Sequence, residues 1–158
     1  MLQISIANEQ SRLEVDTVRL RDAVRNVLQA ERIEDAEISI AVVDDPTMHE
    51  LNLKYLQHDY ATDVLSFRFD EDEDSPVDGE IIVSVDTAER EAKEYGWRTE
   101  DELLLYVIHG ALHIVGYDDQ ELEDRKEMRE AEARHLAAMG LSPRHEDPLA
   151  DPHGSDSP

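Results

Sequence analysis

Two histidines four residues apart are the part of this sequence best equipped for chemistry. His109 and His113 lie in LLLYVIHGALHIVGYDD, residues 103–119. An α-helix stacks side chains at i and i+4, so both imidazoles share one face. Gly116 comes three residues after His113, and Asp119 three after that. A glycine at that point ends the helix through a backbone angle that bulkier residues resist, and the chain can swing back with a third donor. Two imidazole nitrogens and a carboxylate oxygen at one helix end are a donor set for a divalent metal. A lone histidine in an apolar helix reads as a core residue with one hydrogen bond. The pair, with Gly116 and Asp119 at these offsets, reads as a metal site.

The zinc-peptidase pattern H-E-x-x-H-x-x-G-x-x-H shares this spacing. Two positions depart from it: Gly110 stands where the peptidase has its general-base glutamate, and Asp119 where it has its third histidine. The stretch therefore reads as a metal site outside the peptidase class. The chain has no cysteine, which excludes disulfides and thiolate ligands and leaves nitrogen and oxygen donors.

The surrounding elements must position these donors. The run from Leu103 to Ile108 is apolar on every side, the mark of a helix buried all round, and Thr99 with Glu102 reads as its capping box. Residues 2–7 alternate apolar and polar, as a half-buried strand does. Asp16 and Thr17 can cap a helix whose Leu20, Val24, Val27 and Leu28 form one face. Ile38–Val43 is a second strand. Asp45-Pro46 reads as a cap followed by proline at the first helical position, with the helix reaching about Tyr55. A third strand runs from Val64 to about Phe69, and GEIIVS at 79–84 is a fourth. Between them, DEDEDSPVD at 70–78 is a solvated hairpin connection. Asp86 reads as the cap of a short helix ending at Gly96. A last helix, about 120–139, carries Leu122, Met128, Ala131, Leu136 and Met139 and stops at Gly140.

The order is β-α-β-α-β-β-α-α-α. Early β-α-β crossovers favour parallel pairing, while the hairpin makes its two strands antiparallel. The fold class expected is α+β: a small four-stranded mixed sheet packed with about five helices, the metal site lying at the end of a buried helix. One domain spans 1–141 by the length prior, and residues 142–158 form a disordered acidic tail. His145 and His153 in that tail have no helical frame.

Thirty-nine acidic residues against fifteen basic ones give a net charge of −24. Such a field attracts cations and repels nucleic acid. It also suits a salty cytoplasm, where screening shortens its reach. No stretch reaches the length of a membrane span, and the N-terminus MLQISIANEQ lacks the basic and apolar regions of a secretory signal. A cytoplasmic address is the expectation, with no membrane and no DNA partner.

Three segments together resemble one family, the YbeY-type rRNA maturation factors, which are bacterial metal-dependent endoribonucleases. HGALHIVGYDD at 109–119 is similar to that family's H-G-x-L-H-x-x-G-Y-D-H. LNLKYLQHDYATDVLSF at 51–67 resembles its L-N-x-x-Y-R-x-x-D-x-P-T-D-V-L-S-F, and GEIIVS at 79–84 matches a Gly-acid-aliphatic strand. The resemblance implies metal ligands at His109, His113 and Asp119, with Asp where the family has His. It implies one zinc ion, with Fe(II) or another divalent metal also suited to two histidines and a carboxylate. The family's arginine after the tyrosine is Leu56 here, and its proline before Thr62 is Ala61. His58 and Arg68 are the nearest candidates for the missing cation. Asp63 is a candidate catalytic residue beside the two histidines. Asp63 reads as much as structure as function, Asn52, Thr62 and Ser66 read first as structure in a capped loop entering a buried strand, and Tyr117 reads as core.

The function implied is single-strand-specific endoribonuclease activity in rRNA processing, at the 3′ end of 16S rRNA, and in ribosome quality control. The implied partners are ribosomal RNA or the ribosome, with a ribosomal protein as a way past the negative field. A non-catalytic ribosome-assembly protein with a structural metal is the alternative, and a metallopeptidase the remote one.

Overall fold

A computed structural model of the chain describes residues 1–56, 64–70 and 76–142. Its elements follow the order expected: β1 (Leu2–Asn8), α1 (Thr17–Ala30), β2 (Ala36–Val43), α2 (Asp45–Leu56), β3 (Val64–Asp70), β4 (Val77–Ser84), α3 (Val85–Tyr95), α4 (Thr99–Ile114) and α5 (Leu122–Ala138). The strands form one mixed sheet in the order β1-β2-β4-β3. β2 is parallel to both β1 and β4, while β3 returns antiparallel to β4. The α+β architecture with a four-stranded mixed sheet is therefore the one the element order predicts.

Register sorts the side chains onto two faces, because successive residues of a strand point to opposite sides. Ile6, Ile40, Ile81 and Ser66 lie in one row across the sheet, and Ile4, Ile38, Gly79 and Arg68 in the next. This face carries the main core, shared with Val24, Val27 and Leu28 of α1, Ala88 of α3, Leu104 and Ile108 of α4, and Met128 and Leu136 of α5. The other face packs Val43, Leu65 and Ile82 under Met48 of α2. Residues Leu103 to Ile108 are buried without exception, so α4 is enclosed on every side, as its composition requires.

Four local expectations are corrected. The cap of α2 is Asp44, whose Oδ1 accepts from Thr47 N at 2.9 Å. Asp45 is already helical; its carboxylate accepts instead from Ser84 Oγ at 2.5 Å, Thr87 Oγ1 at 2.9 Å and Arg90 Nη1 at 2.7 Å. The cap of α3 is Ser84, not Asp86. Asp86 accepts from the Asp45 backbone N–H at 2.8 Å and pairs with Arg12. No capping box forms at α4: Arg98 is the cap, and the fully buried Glu102 accepts from Trp97 Nε1 at 2.8 Å. Leu122 is 56% exposed, because α5 starts past the core's edge. The helices concerned stay where they were expected.

Two glycines set how closely α4 lies on the sheet. A Cβ on Gly110 would meet Ile81 Cγ2 at 2.8 Å and Val64 Cγ2 at 3.3 Å. A Cβ on Gly79 would meet the Phe67 carbonyl oxygen at 2.8 Å and Ile114 Cδ1 at 2.9 Å. Only hydrogen fits at either position without displacing the strand pair or the helix. The histidine-bearing half of α4 is pressed onto β3 and β4 by these contacts.

Candidate metal centre

The two histidines occupy the last two turns of α4, one residue to either side of buried positions. Beyond Ile114 the chain makes a Schellman turn: Gly116 N–H bonds to the His113 carbonyl at 3.1 Å and Tyr117 N–H to the Leu112 carbonyl at 2.9 Å. Gly116 takes φ +111°, the left-handed region that favours glycine. The turn sends the chain back along the helix end. Asp118 Oδ1 accepts from the Asp119 backbone N–H at 2.7 Å, so Asp118 shapes the turn. Asp119 is left to face the histidines, which separates two neighbouring carboxylates that sequence alone barely distinguishes.

The donors converge. His109 Nε2 lies 3.0 Å from His113 Nε2, and Asp119 Oδ2 lies 3.5 Å from each. The rings meet edge to face, with centroids 4.5 Å apart. Among the described residues these three form the group that could hold a metal ion. Tetrahedral zinc with ligand bonds of about 2.0–2.1 Å separates its ligand atoms by about 3.3–3.4 Å. The observed triangle brackets that value.

The ring protons decide what the triangle can accept. Tyr117's carbonyl, 3.0 Å from His113 Nδ1, can only accept, so that nitrogen carries the proton. Glu132 Oε2 lies 2.6 Å from His109 Nδ1, and an ionised carboxylate likewise can only accept. In the neutral rings that bind a metal, both Nε2 atoms are thereby left as lone pairs aimed at one point, with a carboxylate oxygen beside them. Three lone pairs facing one another repel unless a cation sits among them. The donor set fits a divalent metal.

Two carboxyls at this site have pKa values displaced downward. Burial pushes the Asp119 carboxyl up, but in the metal-free chain protonated His109 and His113 rings, through hydrogen bonds and charge, outweigh it and hold it well below the usual carboxylate range. Burial likewise pushes Glu132 up, and His109 with Arg129 brings it below its ordinary value. Both are anionic at neutral pH, as metal binding requires.

Glu132 is the residue that reading the sequence missed. It is 3% exposed on α5, and its second oxygen accepts from Arg129 Nη1 at 3.1 Å. The signal was positional: Glu132 falls four residues after Met128 and four before Leu136, on the buried stripe of an otherwise highly charged helix. Arg68 is brought to the site's edge, where its Nη1 donates to the Ile114 carbonyl at 3.3 Å. Arg134 reaches the same turn from α5, donating to Tyr117 Oη at 3.4 Å. Tyr117 is partly buried against the main core, as expected. Asp63, His58, Ala61 and Thr62 lie outside the described residues, as do His145 and His153, and Leu56 is the last residue of α2. Gly110, the peptidase general-base position, faces Ile81 and Val64 of the sheet.

Fold and site together define a class: a small mixed sheet with two histidines and a carboxylate, a group that could hold a metal ion, at the C-terminal end of a buried helix. The profile of the family described as Endoribonuclease YbeY matches residues 5–140, and the chain belongs to that family. The Endoribonuclease YbeY of Chloroherpeton thalassium is 37% identical over 134 residues, 85% of this chain and 94% of the relative. That of Protochlamydia amoebophila is 40% identical over 138 residues, covering 86% and 92%. The solution structure of TM1509 from Thermotoga maritima aligns at a TM-score of 0.60 and 26% identity, over 96% of this chain and 99% of that one. No helix of the described residues is long and apolar enough to cross a membrane.

Proposed function

We propose that this chain is a metal-dependent endoribonuclease that hydrolyses single-stranded RNA in rRNA processing, with the 3′ end of 16S rRNA as substrate and ribosome quality control as setting. The observation that carries the proposal is the convergence of two imidazole Nε2 atoms and one carboxylate oxygen, each imidazole oriented by a partner behind its ring. His109, His113 and Asp119 hold one ion, proposed as zinc; the same set also suits Fe(II). Bound there, the ion supplies Lewis acidity for phosphodiester hydrolysis. Asp119's negative charge lowers that acidity relative to three neutral imidazoles.

The chain's own residues supply orientation and charge. Tyr117's carbonyl holds the His113 ring, and the turn at Gly116 holds Asp119. Arg68 is assigned the phosphate-facing cation, in place of the arginine that Leu56 replaces, because it stands at the histidine-bearing end of α4. Asp63 is assigned a catalytic role on the resemblance of the TDVLSF segment alone. The −24 charge opposes RNA; Arg68 and Arg134 give the approach to the centre a local cationic rim, and a ribosomal protein partner would shorten the encounter. The setting proposed is the cytoplasm, and one domain over residues 1–141.

The test is cleavage of a labelled single-stranded RNA, with and without chelator, beside His113→Ala and Arg68→Ala. The proposal expects cutting that chelator and His113→Ala abolish and Arg68→Ala weakens at least about tenfold. RNA bound but never cut, with metal present, would hand the fold to a non-catalytic assembly role.

A further inference from the structure

We propose that Glu132 is the positioning residue of the metal centre: its carboxylate, delivered from α5, locks His109 in the Nδ1–H tautomer and aims Nε2 at the ion. The inference rests on the metal-centre reading and extends it to a residue outside the ligand triad. Glu132 Oε2 stands 2.6 Å from His109 Nδ1, and its other oxygen is occupied by Arg129 at 3.1 Å. The carboxylate is 3% exposed, so it is fixed by packing as well as by its two partners. A buried anion is expensive unless paired and hydrogen-bonded on both oxygens, and here both are.

The consequence for the ligand is specific. An imidazole that binds metal through Nε2 must keep its proton on Nδ1, and an acceptor behind the ring both enforces that tautomer and raises the basicity of Nε2. His113 receives this service from a backbone carbonyl, which no side-chain substitution can remove. His109 receives it from a side chain on a different helix. The centre is therefore assembled only when α5 is docked against α4. Metal occupancy and docking of α5 are linked, since whatever orients Glu132 favours binding and bound metal favours the docked helix.

Glu132→Gln tests the role with the volume of the side chain retained. Gln can turn its NH2 toward Nδ1 and so support the opposite tautomer, in which Nε2 carries the proton and cannot ligate. Two readouts are used at one fixed pH. Zinc affinity, measured by competition with a chromophoric chelator, should fall about 10- to 100-fold in Glu132→Gln, while thermal stability in excess chelator changes much less. Long-range 1H–15N spectra of the metal-free native protein should show His109 with its proton on Nδ1, and Glu132→Gln should lose that single form. Rescue is read in Glu132→Asp, whose carboxylate restores an acceptor and should recover part of the affinity. A native protein with His109 protonated on Nε2, or equal zinc affinity in native and Glu132→Gln proteins, overturns the positioning role and leaves the triad standing. A native protein that takes up no zinc at all overturns the centre and this inference with it.

Discussion

Replacing Gly110 by alanine probes the closeness of α4 to the sheet, on which the histidine geometry depends. The added Cβ would sit 2.8 Å from Ile81 Cγ2 and 3.3 Å from both Ile81 Cγ1 and Val64 Cγ2. Ordinary carbon contacts lie at about 3.5–4.0 Å, so helix or strand must yield by about 0.7 Å. Ile81 is fully buried in a strand bonded on both sides, and its branched Cβ leaves χ1 little freedom. Overpacking of this kind costs about 1–3 kcal/mol. Alanine in place of a helical glycine stabilises by about 1 kcal/mol. The net expectation is a destabilisation of about 1 kcal/mol, a drop of about 2–4 °C in Tm for a chain of this size. Because residue 110 follows His109 directly, the displaced helix also shifts one ligand, so zinc affinity falls with stability. Thermal melts in chelator and chelator-competition titrations read the two effects. Gly79→Ala should be harsher, since its Cβ meets the Phe67 carbonyl oxygen at 2.8 Å, and a paired backbone cannot rotate away. A Gly110→Ala protein that melts higher than the native one would refute the close contact.

Three further outcomes follow from named groups. Asp44→Ala should cost about 1 kcal/mol in urea unfolding by removing the α2 cap, while Asp16→Ala should cost a similar amount at α1. Asp119 has its folded-state pKa depressed, so its contribution to stability is present in full above the unfolded value of about 3.9 and is lost as pH falls through the folded one. In metal-free protein, the stability gap between native and Asp119→Asn should hold near neutrality and close as pH falls below about 4; a gap that widens toward acid would contradict the depressed pKa. With a net charge of −24, the Tm should rise between about 20 mM and about 1 M KCl as self-repulsion is screened; an unchanged Tm would mean the charges are already balanced locally.

Much of this fold is legible in the sequence because its signals are redundant. The alternation in LQISIA, the β-branched run of β2 and the all-round apolarity of α4 each specify an element and the face it buries. The convergence of His109 and His113 with a carboxylate beyond Gly116 was legible too, while the choice of Asp119 over Asp118 follows from the turn that occupies Asp118. Caps were harder. Asp44 and Asp45 are both competent, and a rotation of about 100° per residue decides which carboxylate meets the helix N-terminus. Glu102 sits at the capping-box position, but complete burial beside Trp97 gives it a stronger partner than a backbone N–H. Glu132 was hidden by its surroundings: in a helix this rich in acidic residues, one more glutamate draws no notice. Only its place between Met128 and Leu136 marks it as buried, and no local pattern says that His109 lies opposite.

The central claim is that His109, His113 and Asp119 hold one catalytic metal. Elemental mass spectrometry of purified native protein, His113→Ala and Asp119→Ala, each offered zinc and then passed over a desalting column, tests it most directly. The account predicts one ion per native chain, with both variants folded and metal-free. A folded native chain that stays metal-free, or an Asp119→Ala chain that holds its ion as tightly as the native one, would contradict it.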